Sequence, residues 1–347
     1  MARRLSIAGL AGAGVVSGLA TWTAVNRAVV HRLARRPDPV DAADLLLPED
    51  LVEHTLAMSD GWVIRVVERG PKDGPPVLLL HGITLGAAVW PYQLTELPEA
   101  GLRVVAVDMR GHGHSGGVAT DDDKEPAQAT MTLDRMAADV EEIMEMLDLD
   151  GVTIVGHSMG GMVTLRLLAG SPKLASGTGR VGALVLAGTT ANATSRRGLP
   201  GLTDLVAVAR PLVSSASGLA ARLPGPTLPA NDLAYMLARV TFGDRSSHRQ
   251  VAFTGHLTSE VPVRISAELI LEIVRFNSED VLSSIDLPTT VVVGDHDVMT
   301  PLSQSEYLAR HIAGARLVVL PGCGHMLMLE RPEELNRTIA ARCGRDI

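Results

Sequence analysis

The stretch Thr153-Ile154-Val155-Gly156-His157-Ser158-Met159-Gly160-Gly161-Met162 decides how the rest of the chain is read. A short apolar run rich in β-branched residues enters it. A helix-forming run, Met162-Val163-Thr164-Leu165-Arg166-Leu167-Leu168-Ala169, leaves it. Between them lies Gly156-x-Ser158-x-Gly160, a G-x-S-x-G pattern at a strand-to-helix turn. Such a turn holds the serine in a strained backbone conformation and lifts its hydroxyl above the sheet edge. The flanking glycines are expected where strand and helix pass too close for a Cβ. Alone the pattern is weak in a chain with 34 glycines, so its context carries the weight.

Working outward, short apolar runs recur on both sides of the elbow. Residues 62–68 form a first candidate strand. Pro76-Val77-Leu78-Leu79-Leu80 runs into His81-Gly82, and Val104-Val105-Ala106-Val107-Asp108 runs into Met109-Arg110-Gly111-His112-Gly113-His114-Ser115. Leu133, Met136, Val140, Ile143, Met144 and Leu147 share one face of a helix by their spacing of three and four. After the elbow come strands at 183–186, 289–293 and 316–320. Continuous apolar strands alternating with helices predict a mostly parallel sheet buried on both faces. A serine nucleophile needs a base, and the base needs an acid to orient it. Two strand ends supply candidates: Gly294-Asp295-His296-Asp297 and Gly322-Cys323-Gly324-His325. The order is therefore Ser158, then Asp295 or Asp297, then His325.

Composition removes other classes. The chain has 347 residues, 46% hydrophobic and 20% charged, enough for a sizeable core. A net charge of -8 offers no basic field for nucleic acid. Cys323 and Cys343 are the two cysteines, and they show no metal-ligand spacing. Aromatics are scarce at 3%, so Leu, Val, Ala, Ile and Met must build the core.

Residues 1–45 differ in character. The run 5–24 carries no charge, with Arg3 and Arg4 before it and Arg27, Arg32, Arg35 and Arg36 after it. Its length suits a bilayer, but Gly9, Gly12, Gly14 and Gly18 dilute its hydrophobicity. A membrane anchor, a cleaved export signal and a soluble packed helix all compete. The basic cluster beyond the run argues against a signal peptide, and the anchor is the reading carried forward, with a cytoplasmic protein otherwise. A proline-rich linker follows from residue 37. The expected organisation is an apolar segment and linker at 1–45, a core at 46–190, an inserted helical cap at 191–284 and the remaining core at 285–347. The cap breaks the strand rhythm, contains helical pieces at 232–240 and 266–276, and holds all three phenylalanines, Phe242, Phe253 and Phe276. Insertions of this length commonly act as lids. The three phenylalanines could line an acyl pocket. Core packing is the simpler role for each.

Five segments together, His81-Gly82-Ile83, the 108–115 loop, Gly156-His157-Ser158-Met159-Gly160, Gly294-Asp295-His296-Asp297 and Gly324-His325-Met326, resemble the α/β-hydrolase fold superfamily, in its serine esterase, lipase and haloperoxidase-like group. The resemblance covers roughly residues 50–347. It implies an eight-stranded, mostly parallel sheet with helices on both faces and a cap after the sixth strand. It implies Ser158 as nucleophile, His325 as general base and, three residues after Gly294, Asp297 as the acid. Asp295 would then cap its loop or pair with a neighbour. The backbone N–H groups of Met159 and Ile83 would form the oxyanion hole, beside an elbow made by Gly156, His157 and Gly160. His112, His114, His157 and His296 read as supporting loop residues, and Asp108 and Arg110 as loop anchors.

The function implied is hydrolysis of carboxylic esters, lipidic esters or thioesters included, through an acyl-enzyme. No metal or organic cofactor is required, and the expected partner is a small apolar ester. A cofactor-free peroxidase or C–C bond hydrolase on the same three residues is the alternative, because fold and triad do not fix the substrate. A non-catalytic binding protein is the third reading, disfavoured by the intact set.

Overall fold

The structure, a computed structural model, describes residues 37–116, 131–176, 179–194, 232–244 and 246–347. Its frame is an eight-stranded sheet. The strands are β1 (Val52–Ala57), β2 (Val63–Arg69), β3 (Pro76–Leu80), β4 (Arg103–Val107), β5 (Val152–His157), β6 (Val181–Ala187), β7 (Thr289–Gly294) and β8 (Arg316–Leu320). Their spatial order is β1-β2-β4-β3-β5-β6-β7-β8. β2 pairs antiparallel with β1 and β4, and all the other pairs are parallel.

The helices are α1 (Pro91–Glu96), α2 (Leu133–Met146), α3 (Met159–Gly170), α4 (Asp232–Val240), α5 (His248–Glu260), α6 (Val263–Arg275), α7 (Leu302–His311), α8 (Leu327–Glu330) and α9 (Pro332–Arg342), with a further four-residue helix at Pro172–Ala175 and a few three-residue turns between them. Period-two geometry splits each continuous apolar strand between two cores. Leu78, Leu80, Val105, Val107 and Ile154 pack with α2, α3 and α7 on one face. Val77, Leu79, Val104, Ala106 and Val155 pack with α1, α8 and α9 on the other. Each fully buried Leu of this kind contributes about 1.5–3 kcal/mol. The helix expected from the apolar spacing at 133–147 is α2. Thr132 caps it, its hydroxyl accepting from Arg135 N–H at 3.1 Å.

β1 had no signal in the sequence. Its residues alternate between exposed and half-buried at the sheet edge, so they carry no apolar run. The cap departs and returns through one neck. Asn192 and Asn277 form an antiparallel bridge, and Ser278 N–H donates to Ala191 O at 2.8 Å. The described cap residues form α4, α5 and α6; the helix expected at 266–276 spans Val263–Arg275. Phe242 and Phe276 are buried in different clusters on opposite faces of the sheet, and Phe253 is half-buried against the Phe242 cluster. Packing accounts for the burial of Phe242 and Phe276.

No helix among the described residues is long and apolar enough to cross a membrane. The run 5–24, read above as a membrane anchor, lies outside the described residues.

Candidate active site

The elbow at the end of β5 is strained and tightly held. Ser158 has φ 51° and ψ -114°, a region that costs a non-glycine residue about 1–3 kcal/mol. The surrounding bonds offset that cost. Ser158 N–H donates to Ala187 O at 3.0 Å, and the Thr189 hydroxyl donates to Ser158 O at 2.7 Å. The glycines have the expected steric reason. A Cβ on Gly160 would sit 2.2 Å from Leu80 O, and one on Gly156 would sit 2.7 Å from Gly161 Cα. Met159 opens α3, so its N–H has no intrahelical acceptor and lies at the positive end of the helix.

The loop after β3 approaches the same point. A Cβ on Gly82 would lie 3.2 Å from Ser158 Cβ and 3.0 Å from His157 Nδ1. Two buried histidines fix this loop. Met109 N–H donates to His81 Nε2 at 2.9 Å, so His81 carries its proton on Nδ1, which donates to Gly82 O at 2.7 Å. Thr84, at φ 59°, donates its N–H to His112 Nε2 at 3.1 Å, and His112 Nδ1–H donates to Arg110 O at 3.0 Å. Both rings are acceptors at Nε2 and therefore neutral. Burial pushes His81 down to about 4. Burial, joined by the neighbouring His81, pushes His112 down to about 3. Ile83, whose N–H is a candidate oxyanion donor, sits between these two tied residues.

Asp297 and His325 meet at the ends of β7 and β8. His325 Nδ1–H donates to Asp297 Oδ2 at 2.8 Å. Asp297 is 4% exposed and otherwise saturated. Its Oδ1 accepts from Met299 N–H at 2.8 Å and Thr300 N–H at 2.9 Å, and its Oδ2 accepts from the Thr300 hydroxyl at 2.8 Å. Burial alone would raise its carboxyl, but His325 and the Thr300 donors outweigh burial and hold it below the ordinary carboxylate value. Asp295 faces elsewhere, accepting from Gly322 N–H at 2.6 Å. Gly188, beside the elbow strand, touches the pair: a Cβ there would lie 3.3 Å from both Asp297 Oδ2 and His325 Nδ1. His157 completes the link. Its ring packs on His325 with centroids 4.7 Å apart, and its Nε2–H donates to His325 O at 3.0 Å. Burial, with His325 close by, drives its proton affinity well below the usual histidine value.

The other singled-out residues take support positions. Asp108 accepts from Ala87 N–H at 2.6 Å and His114 N–H at 3.1 Å, and pairs with Arg65 at 3.1 Å. Arg110 is fully buried, forked onto Asp139 at 2.8 and 2.9 Å and stacked over Trp62 at 5.0 Å. The His114 ring is exposed, and His296 lies 3.3 Å from Asp244. Met326, Leu327 and Met328 are buried behind His325. Thr189, Thr300 and the supporting role of His81 were not foreseen. Thr300 alone had a local signal, lying three residues after Asp297 as a turn-closing threonine does. No cluster of three metal-ligating side chains occurs among the described residues.

This fold has counterparts. The family model for the alpha/beta hydrolase fold matches residues 75–332, and the chain belongs to that family. A non-heme haloperoxidase of Rhodococcus erythropolis is 30% identical over 295 residues, 80% of this chain and 94% of that protein. Monoacylglycerol lipase ABHD6 of Bos taurus is 28% identical over 276 residues, 76% of this chain and 74% of that one. Among solved structures, an esterase from Exiguobacterium antarcticum superposes with a TM-score of 0.70 at 24% identity, covering 84% of this chain and all of that one, which speaks to the fold. The family match and the lipase relative support a hydrolase.

Proposed function

We propose that the protein is a serine hydrolase that cleaves carboxylic esters through an acyl-enzyme. The observation that carries this reading is the His325–Asp297 hydrogen bond at 2.8 Å near the strained, half-buried serine turn at Ser158. In this reading Ser158 Oγ attacks the acyl carbonyl while His325 Nε2 takes its proton. The Asp297 carboxylate holds the imidazole in the Nδ1–H tautomer and stabilises the imidazolium. The N–H groups of Met159 and Ile83 receive the oxyanion. His325 returns the proton to the leaving alkoxide, then activates the water that releases the acid and regenerates Ser158.

An apolar acyl group fits the reading, supported by the monoacylglycerol lipase relative and by the exposed Val298 and Met299 just after Asp297. The uncharged run 5–24 supports a membrane tether that would bring the enzyme to lipidic esters. Esters of graded acyl length, with thioesters alongside and Ser158→Ala as control, test the reading. A rate that rises with acyl length and vanishes in Ser158→Ala supports it.

A second reading rests on the haloperoxidase relative. The acyl-enzyme could be intercepted by hydrogen peroxide instead of water, giving a peracid on the same residues. Peracid formation from an acyl donor and peroxide, faster than hydrolysis, would favour it.

A further inference from the structure

His325 is held through its backbone as well as its ring. Its N–H donates to Thr241 O of the cap loop at 2.6 Å, and its C=O accepts from His157 Nε2–H of the elbow at 3.0 Å. The base therefore bridges cap and elbow. The two loops that meet here are in van der Waals contact along their backbones. A Cβ on Gly243 would lie 2.3 Å from Gly322 O, and one on Gly324 would lie 2.4 Å from Gly243 N. Only glycine permits this approach, and it brings the N–H groups of Gly243 and Gly324 toward one point.

The carboxylate of Glu330 stands at that point. Its Oε2 accepts from Gly243 N–H at 2.8 Å, and its Oε1 accepts from Gly324 N–H at 3.0 Å. Gly324 directly precedes His325, and Gly243 lies two residues after Thr241. We propose that Glu330 is a positioning residue for His325, its carboxylate clamping the cap loop 241–243 to the histidine loop 322–325. This rests on the proposed role of His325 as base. Glu330 ends α8, whose Leu327, Met328 and Leu329 are buried, so its side chain is fixed at the root. Its charge has no ion-pair partner among the described residues; both oxygens are committed to backbone N–H groups. Burial raises its carboxyl above the ordinary value, against the pull of those two bonds. Burying a carboxylate is weak evidence for stability, because desolvation offsets the bonds it makes. What it adds is geometry: it orients two peptides flanking the base, by charge-assisted bonds that neutral groups make more weakly.

The test uses the full chain with Glu330→Gln and Glu330→Asp. Glutamine keeps the size but offers one acceptor and one donor, so one N–H loses its partner. Aspartate keeps the charge but is a methylene short. Turnover and KM on a 4-nitrophenyl ester are measured, with the melting temperature and the downfield proton resonance of His325 Nδ1–H. Glu330→Gln is expected to lower kcat about 10- to 100-fold, as a small misplacement of the base does. KM should stay within about threefold, since substrate contacts are untouched. The downfield resonance should shift or broaden, and Glu330→Asp should fall between the two. Should Glu330→Gln not fold, Glu330→Asp carries the same comparison. Wild-type kcat in the variant, or a loss that follows the folded fraction with an unchanged resonance, overturns the proposal. Failure of the underlying reading looks different: wild-type protein would then hydrolyse no ester, or Ser158→Ala would hydrolyse it equally.

Discussion

Asp297 Oδ2 accepts the Nδ1–H of His325 at 2.8 Å, while Asp295, two residues earlier, turns its carboxylate to the Gly322 N–H at 2.6 Å. The two acids are near neighbours in sequence and point to different partners. Asp297→Ala should lower ester turnover about 10³- to 10⁴-fold, the cost of losing the tautomer-holding acid of such a triad. Asp295→Ala should act mainly on stability, through one lost hydrogen bond worth about 1 kcal/mol. Steady-state kinetics of both variants check this. The reverse ranking would move the acid to Asp295.

Gly160→Ala should be destabilising rather than catalytically selective. The added methyl would lie 2.2 Å from the Leu80 carbonyl oxygen, a backbone atom that cannot rotate away. Overpacking of this kind costs about 1–3 kcal/mol or more. Urea unfolding of the variant measures it, and unchanged stability would contradict the close packing of α3 on β3.

The molecule should be acid-labile. His81 and His112 are neutral in the fold, held down to about 4 and about 3, against an ordinary value of 6.5. In the window between about 6.5 and 4 the unfolded chain binds these protons and the folded chain does not, so stability falls as pH falls. The slope is up to about 1.4 kcal/mol per pH unit for each histidine. His112 extends the window to about 3. Asp297 acts in the same direction lower down: its depressed carboxyl gives stability that is present above the ordinary carboxylate value and lost as pH falls through the folded one. Unfolding free energies at pH 7 and pH 5 test this. His112→Gln, which keeps an acceptor for the Thr84 N–H, should flatten the slope, and an equal slope would contradict the assignment.

The N-terminal reading predicts a difference in partitioning. Full-length protein should sediment with membranes, and a shortened chain starting at Pro37 should not. The shortened chain keeps Asp38, which accepts from the Ser247 hydroxyl at 2.6 Å and the Arg249 N–H at 3.0 Å at the start of α5, so the cap contact survives. Equal solubility of the two forms would remove the anchor.

Much of the sheet and the candidate site could be read in advance because both are written in local patterns. Apolar runs ending in glycine placed β3, β5 and β7, and the chemistry-bearing residues follow directly at strand ends. β1 escaped because an exposed edge strand has no apolar run. Thr189, His81 and Glu330 escaped for another reason. Each acts across the fold, on Ser158, Met109 and Gly243 respectively. No spacing in the chain records those meetings. Phe242 and Phe276 are both cap residues, yet they are buried in different apolar clusters, a division that no local spacing records.

The central claim is that Ser158 is an activated nucleophile. The direct measurement is mass spectrometry of the full chain after exposure to a fluorophosphonate. The account predicts one covalent adduct, on Ser158, formed by the wild type and absent from Ser158→Ala. Equal labelling of the two proteins, or an adduct on another residue with Ser158 unmodified, would contradict it.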